Sequence, residues 1–220
     1  MSQLDETPKI YVVFRSGQCG EFILSLLIGM KHKDNPWRME RLYVLDTGSC
    51  HENRHAEPEI VCTNKKALAG LLVALDDRED FIKVHTRFDC VETILQTKPN
   101  DKVILLLPDV ANFQHKINHL FKTQDVNSLT KSDVDAILEG INHGTTSDHV
   151  KLCSELTAKY PGRFFPLPLD LIYTDRDKTL ELVENVSGMT RTDELVKFYN
   201  RYMVRQPTKD IFEKWYNELR

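Results

Sequence analysis

Two short segments carry side chains able to do chemistry together. The first is Arg15-Ser16-Gly17-Gln18-Cys19-Gly20, which follows the apolar, β-branched run Lys9 to Phe14 (KIYVVF). A strand turning into a helix through two glycines has the parts of an anion cradle. Gly17 and Gly20 permit backbone angles that other residues avoid, so several N–H groups can face one space. The helix N-terminus adds a positive dipole end, Arg15 a bidentate guanidinium fork and Ser16 a hydroxyl. The second segment is Phe81-Ile82-Lys83-Val84-His85. It places His85 at the carboxyl end of a strand, with Lys83 on the same face by two-residue alternation. A histidine there has a pKa suited to taking a proton from an attacking hydroxyl. Each segment also has a plainer reading: an ordinary βα turn, and a histidine that bonds a loop carbonyl.

Other signals are set aside on physical grounds. His51-Glu52-Asn53-Arg54-His55 matches HExxH, but that pattern binds zinc only on a helix, and here Gly48 precedes and Pro58 follows. A looser set, Cys50, His51, His55 and Cys62, suggests at most adventitious metal, so no metal is expected. A phosphatase-like thiolate at Cys19 would want an arginine shortly after it, and none occurs until Arg38. The first loop lacks the lysine and hydroxyl of GxxxxGK[ST], which disfavours a nucleotide kinase or other magnesium-dependent phosphoryl transfer.

The elements that must position these residues read as a βα alternation. Further strands are expected at Arg41–Leu45, Asp80–His85, Asp101–Leu107 and Arg163–Leu167, with Pro166 placing the last at an edge or strand end. Helices are expected at Phe22–Met30, Asn64–Asp76 with Asn64 as cap, Val110–Lys122, Ser132–Glu139 and Ser147–Tyr160, the last two capped by their serines. The C-terminus is helical in three pieces, Lys178–Val186, Asp193–Val204 and Lys209–Leu219, with Thr190 and Thr208 at the caps of the last two. Thr47 to Glu59 reads as a loop. The aromatics Phe198, Tyr199, Tyr202, Phe212, Trp215 and Tyr216 fall at helical spacing and should pack between the last two helices. The alternative is that Ile211 to Leu219 packs on a partner subunit, as in a homo-oligomer. The expected fold is a three-layer α/β domain spanning residues 1–220: a mainly parallel sheet of about five strands with helices on both faces, and a helical C-terminus. Ligands in such sheets bind beyond the carboxyl ends of the strands.

Composition narrows the class. The 220 residues carry 29 basic and 33 acidic side chains, a net charge of −4, and 41% hydrophobic residues. No strongly basic block marks a nucleic-acid binder. Five widely spaced cysteines without a CxxC pair fit a reducing, cytoplasmic compartment. Met1 to Pro8 is too polar for a signal peptide, and the apolar run Phe22–Met30 is too short to span a membrane.

Together the two chemical segments resemble the sulfotransferase family. Its loop reads PKSGTTW or PRSGTT after the first strand, against Phe14-Arg15-Ser16-Gly17-Gln18-Cys19-Gly20 here. Its cytosolic branch carries IKTH on a later strand, against Ile82-Lys83-Val84-His85. Leu169-Asp170-Leu171 is similar to the family's YEDL element. The resemblance implies a short, divergent member with the P-loop nucleoside triphosphate hydrolase-like fold. It implies 3′-phosphoadenosine 5′-phosphosulfate as donor and metal-free in-line sulfuryl transfer to a hydroxyl or amine on a small molecule, glycan or protein. His85 would be the catalytic base, Lys83 would lie near the transferred group, and Arg15 would neutralise the leaving phosphate. Ser16, Gly17, Gln18, Cys19 and Gly20 would hold the nucleotide. The family binds the 3′-phosphate through an arginine and a serine. Here the stretch Leu106-Leu107-Pro108-Asp109 has no arginine, which leaves His115 and Lys116 as cationic substitutes. That departure keeps open an alternative: a catalytically inactive relative serving as a nucleotide-binding or interaction module.

Overall fold

A computed structural model of the chain describes residues 7–14, 19–33, 43–44, 50–51, 59–75, 80–107, 116–118, 120–121, 124–142 and 147–219. Its centre is a five-stranded, wholly parallel sheet. The strands are β1 (Ile10–Phe14), β4 (Glu59–Val61), β5 (Phe81–His85), β6 (Lys102–Leu107) and β7 (Phe164–Pro168), in the order β4-β5-β1-β6-β7. Strands β1 and β6 are almost continuously apolar, as suits strands whose two faces are both covered by helices. Edge strand β7 accommodates Pro166 and Pro168, whose missing N–H groups would leave gaps in a central ladder.

Helix α1 (Gly20–Lys31) packs on the face that carries Ile10, Val12 and Phe14 of β1. There it meets α6 (Leu169–Thr174), α7 (Arg176–Ser187) and α8 (Asp193–Val204). The opposite face, with Tyr11 and Val13, is covered by α2 (Lys65–Ala74), α3 (Val91–Thr97) and α5 (Ser147–Lys159). A smaller apolar cluster joins Ile117 and Leu120 to Val134 of α4 (Lys131–Asn142) and Phe212 of α9 (Lys209–Glu218). None of the helices among the described residues is long and apolar enough to cross a membrane.

The expected three-layer α/β architecture is present, with four differences in detail. The described part of Arg41–Leu45, Tyr43–Val44, is not a strand of the parallel sheet. Tyr43–Val44 (β2) pairs antiparallel with Cys50–His51 (β3), and the fifth parallel strand is β4, where a loop was expected to end. His51 therefore lies in a strand, which removes the helical geometry that HExxH needs. Caps follow the side chain that reaches the free amides. Asn64 and Thr208 do so as expected, but Thr192, not Thr190, caps α8. At α4 the reciprocal bonds run between Thr130 and Asp133, so Ser132 is not the cap. The C-terminal aromatics also divide between two clusters. Phe198, Tyr199 and Tyr202 surround Phe22 of α1, while Phe212, Trp215 and Tyr216 pack with Phe121. Leu169–Thr174 forms a helix that the sequence reading did not assign.

Candidate functional site

Neighbouring strands β1 and β5 send their helices to opposite faces of the sheet, α1 to one and α3 to the other. Where connections diverge in this way, open parallel sheets place their ligands in the crevice at the carboxyl ends of the two strands. Strand register sets Phe14 beside His85, and Glu59 beside Lys83. Residues 15–18 lie outside the described part, as do Pro108, Asp109 and His115. The described wall of the crevice is Cys19, Gly20 and Glu21 at the start of α1, with Lys83, His85 and Glu59.

Cys19 is the one non-glycine residue with a positive φ among the described residues, at φ 57° and ψ 19°. A left-handed turn costs a residue with a Cβ on the order of 1–2 kcal/mol. Here it swings the chain from β1 into α1 within a few residues. α1 starts without a side-chain cap: the Cys19 carbonyl takes the amides of Phe22 and Ile23, and the Cys19 side chain takes none of the first-turn amides. The thiol is turned inward, 7% exposed, with the Tyr173 hydroxyl at 2.7 Å and the Tyr202 hydroxyl donating to it at 3.1 Å. Any contact of Cys19 with a ligand is therefore through its backbone. Gly20 has a different constraint. A Cβ there would fall 2.1 Å from the Phe14 ring, so glycine is needed for close approach. The same ring meets the His85 imidazole edge-on, with centroids 4.4 Å apart. Gly20, Phe14 and His85 thus form one packed row across the mouth of the crevice.

The predicted pair Lys83 and His85 is brought together on one face, and both side chains are mostly buried, 17% and 21% exposed. Their partners are two acids that sequence reasoning missed. Lys83 Nζ bonds the Glu21 carboxylate and lies 3.4 Å from Glu59 Oε1. The same Glu59 oxygen stands 3.1 Å from His85 Nε2. Glu21 was visible in the sequence only as a favourable charge in the first helical turn, and Glu59 sat at the end of a segment read as loop. Lys116 is half-buried at the start of helical residues 116–118, and the next residue but one, Asn118, donates to the Tyr173 hydroxyl. Among the described residues no group of three or more acids, histidines or cysteines is placed to hold a metal.

Burial, then the adjoining Lys83 charge, holds the His85 imidazole below its ordinary pKa; Glu59, Glu21 and a hydrogen bond to the Phe14 backbone oppose that fall. Neutral imidazole is the form that accepts a proton. The two neighbours pull in opposite directions, which gives an NMR test. Glu59→Gln removes a charge that favours imidazolium and should lower the His85 pKa further. Lys83→Met removes a charge that disfavours it and should raise the pKa. Movement in the same direction in both variants would refute this electrostatic arrangement. The sign for stability follows. With its folded value depressed, His85 contributes stability that is complete above about pH 6.5 and is lost as pH falls towards the folded value.

No protein-family profile and no curated protein matches the chain. Solved structures do. Retinol dehydratase in complex with androsterone and the inactive cofactor PAP aligns with a TM-score of 0.50 at 11% identity, covering 96% of this chain and 70% of that one. A second structure, retinol dehydratase with retinol and PAP, aligns at 0.48 and 12% identity, over 96% of this chain and 67% of that one. The chain shares the fold of retinol dehydratase. At this identity the likeness is one of fold alone. The order of the described elements agrees with that read from the sequence: α1 after β1, His85 at the end of β5, and Leu169-Asp170-Leu171 after β7.

Proposed function

We propose that the chain is a sulfotransferase-like enzyme that moves a sulfuryl group from 3′-phosphoadenosine 5′-phosphosulfate to a hydroxyl or amine acceptor. The observation that carries the reading is the meeting of a neutral-leaning histidine and the uncapped start of α1 at the crevice between β1 and β5. The nucleotide product, adenosine 3′,5′-bisphosphate, is what the structural neighbours hold.

The donor supplies an activated sulfuryl group: the bond from sulfur to the acceptor atom forms as the bond to the phosphate oxygen breaks. The residues of this chain do the rest. Amides at the start of α1, with the glycine loop and Arg15, bind oxyanions by hydrogen bonding and helix dipole. His85 takes the acceptor's proton on its imidazole nitrogen once that nitrogen is released from Glu59. Lys83, freed from Glu21, balances charge developing on the transferred group. No metal enters this reading.

A second reading is favoured by one observation. The two basic side chains described at the crevice already have acids of the same chain as partners, Lys83 with Glu21 and His85 with Glu59. A site so engaged suits a nucleotide-binding or interaction module without turnover. Calorimetric titration with adenosine 3′,5′-bisphosphate separates the two. The enzyme reading expects binding on the order of micromolar, weakened about tenfold to a hundredfold by Arg15→Ala, the range for losing a charged hydrogen-bond donor. Absence of binding to this nucleotide and to ATP would leave the interaction module.

A further inference from the structure

Behind the mouth of the crevice, within the largely apolar core around α1, four polar side chains from four separate segments converge. Cys19 comes from the turn before α1, Asn118 from helical residues 116–118, Tyr173 from α6 and Tyr202 from α8. Cys19, Asn118 and Tyr202 are almost wholly buried, and burial pushes the Tyr173 hydroxyl well above the ordinary tyrosine pKa. Tyr202 also stacks on Phe22 of α1, rings 12° from parallel with centroids 3.9 Å apart. Apolar packing alone does not specify a direction for the group it surrounds. Hydrogen bonds do, and a fully connected buried set holds its members in one arrangement.

Cys19 is the member that needs holding. Its backbone sits in a region that a Cβ disfavours, and such a conformation persists only where the surroundings over-determine it. Its carbonyl accepts the amides of Phe22 at 3.0 Å and Ile23 at 3.2 Å, the first bonds of α1. The direction in which the remaining first-turn amides point is therefore set by the Cys19 turn.

We propose that Tyr202, Tyr173 and Asn118 are positioning residues. They grip the Cys19 thiol from the core and thereby hold the left-handed turn that aims the first amides of α1 at a bound oxyanion. None of the three touches the reacting atoms. The aiming of the amides rests on the nucleotide reading above; the grip on the turn does not.

The test uses the whole chain and one substitution that separates grip from packing. Cys19→Gly adopts the left-handed turn without strain and without a thiol to hold. Tyr202→Phe and Tyr173→Phe are made in the natural chain and in the Cys19→Gly background; each keeps the ring and removes only the hydroxyl. Two readouts are taken: hydrogen exchange of the Phe22 and Ile23 amides, and affinity for adenosine 3′,5′-bisphosphate. In the natural chain each tyrosine variant should speed exchange of those amides and weaken the nucleotide, by about tenfold for one buried hydrogen bond. With glycine at position 19, neither tyrosine variant should alter either readout. Unchanged exchange in the natural chain, or equal losses in both backgrounds, would overturn the proposal. A natural chain that binds no nucleotide, while its exchange responds as described, would overturn the nucleotide reading and leave the grip standing.

Discussion

Gly20→Ala is expected to destabilise the protein by about 3 kcal/mol, the upper end for forcing one extra carbon into a packed core. The added Cβ would lie 2.1 to 2.2 Å from three atoms of the Phe14 ring, well inside contact distance. The ring has little room to retreat, since Phe14 is 5% exposed and the imidazole of His85 stands against it. Helix propensity acts the other way: alanine within a helix is favoured over glycine by roughly 0.5–1 kcal/mol. The expected sign therefore decides between local propensity and tertiary crowding. Urea unfolding measures it, and thermal unfolding should show a fall of roughly 6–12 °C for a chain of this size. Phe14→Leu in the same molecule should recover part of the loss, although alone it removes buried apolar area. A midpoint equal to that of the natural chain would mean that Phe14 does not rest where the row Gly20–Phe14–His85 requires. Nucleotide affinity should fall together with stability, because the same ring supports the start of α1.

The other large effect concerns rate. With His85→Gln, sulfuryl transfer should drop by roughly 10²–10⁴-fold, the usual worth of a positioned general base. That corresponds to about 3–5 kcal/mol of barrier. Glutamine is close in size and can still donate to Glu59, so binding of adenosine 3′,5′-bisphosphate should stay within about threefold of the natural chain. Single-turnover transfer to a model amine or phenol, alongside calorimetric titration, separates the two quantities. Because burial and Lys83 depress the imidazole pKa, the acidic limb of the natural enzyme's pH profile should lie below that of an unperturbed histidine. Turnover undiminished in the glutamine variant removes His85 from the chemistry. Turnover absent from the natural chain, with the nucleotide bound, selects the non-catalytic module.

Local signals were sufficient for much of the architecture. The β-branched run before Arg15, the apolar run Lys102–Leu107 and the cap at Asn64 are decided by neighbours within a few residues, so pattern and propensity reveal them. Two-residue alternation likewise put Lys83 and His85 on one face, because side-chain direction along a strand is a local property. Strand partners are not. β4 has only three residues, and it counts as a strand because β5 supplies its hydrogen bonds; Arg41–Leu45 has the stronger pattern, yet its described part, Tyr43–Val44, pairs with Cys50–His51 outside the parallel sheet. The acids that hold the crevice were hidden for the same reason. Glu59 reaches His85 across a strand pair 26 residues apart in sequence, and Glu21 reaches Lys83 across 62. Chemistry-bearing residue types were thus legible in the chain alone. Their partners, and the inward turn of the Cys19 thiol towards tyrosines more than 150 residues away, were decided by tertiary packing, since hydrogen bonds and charges act through distance in space and sequence order records none of it.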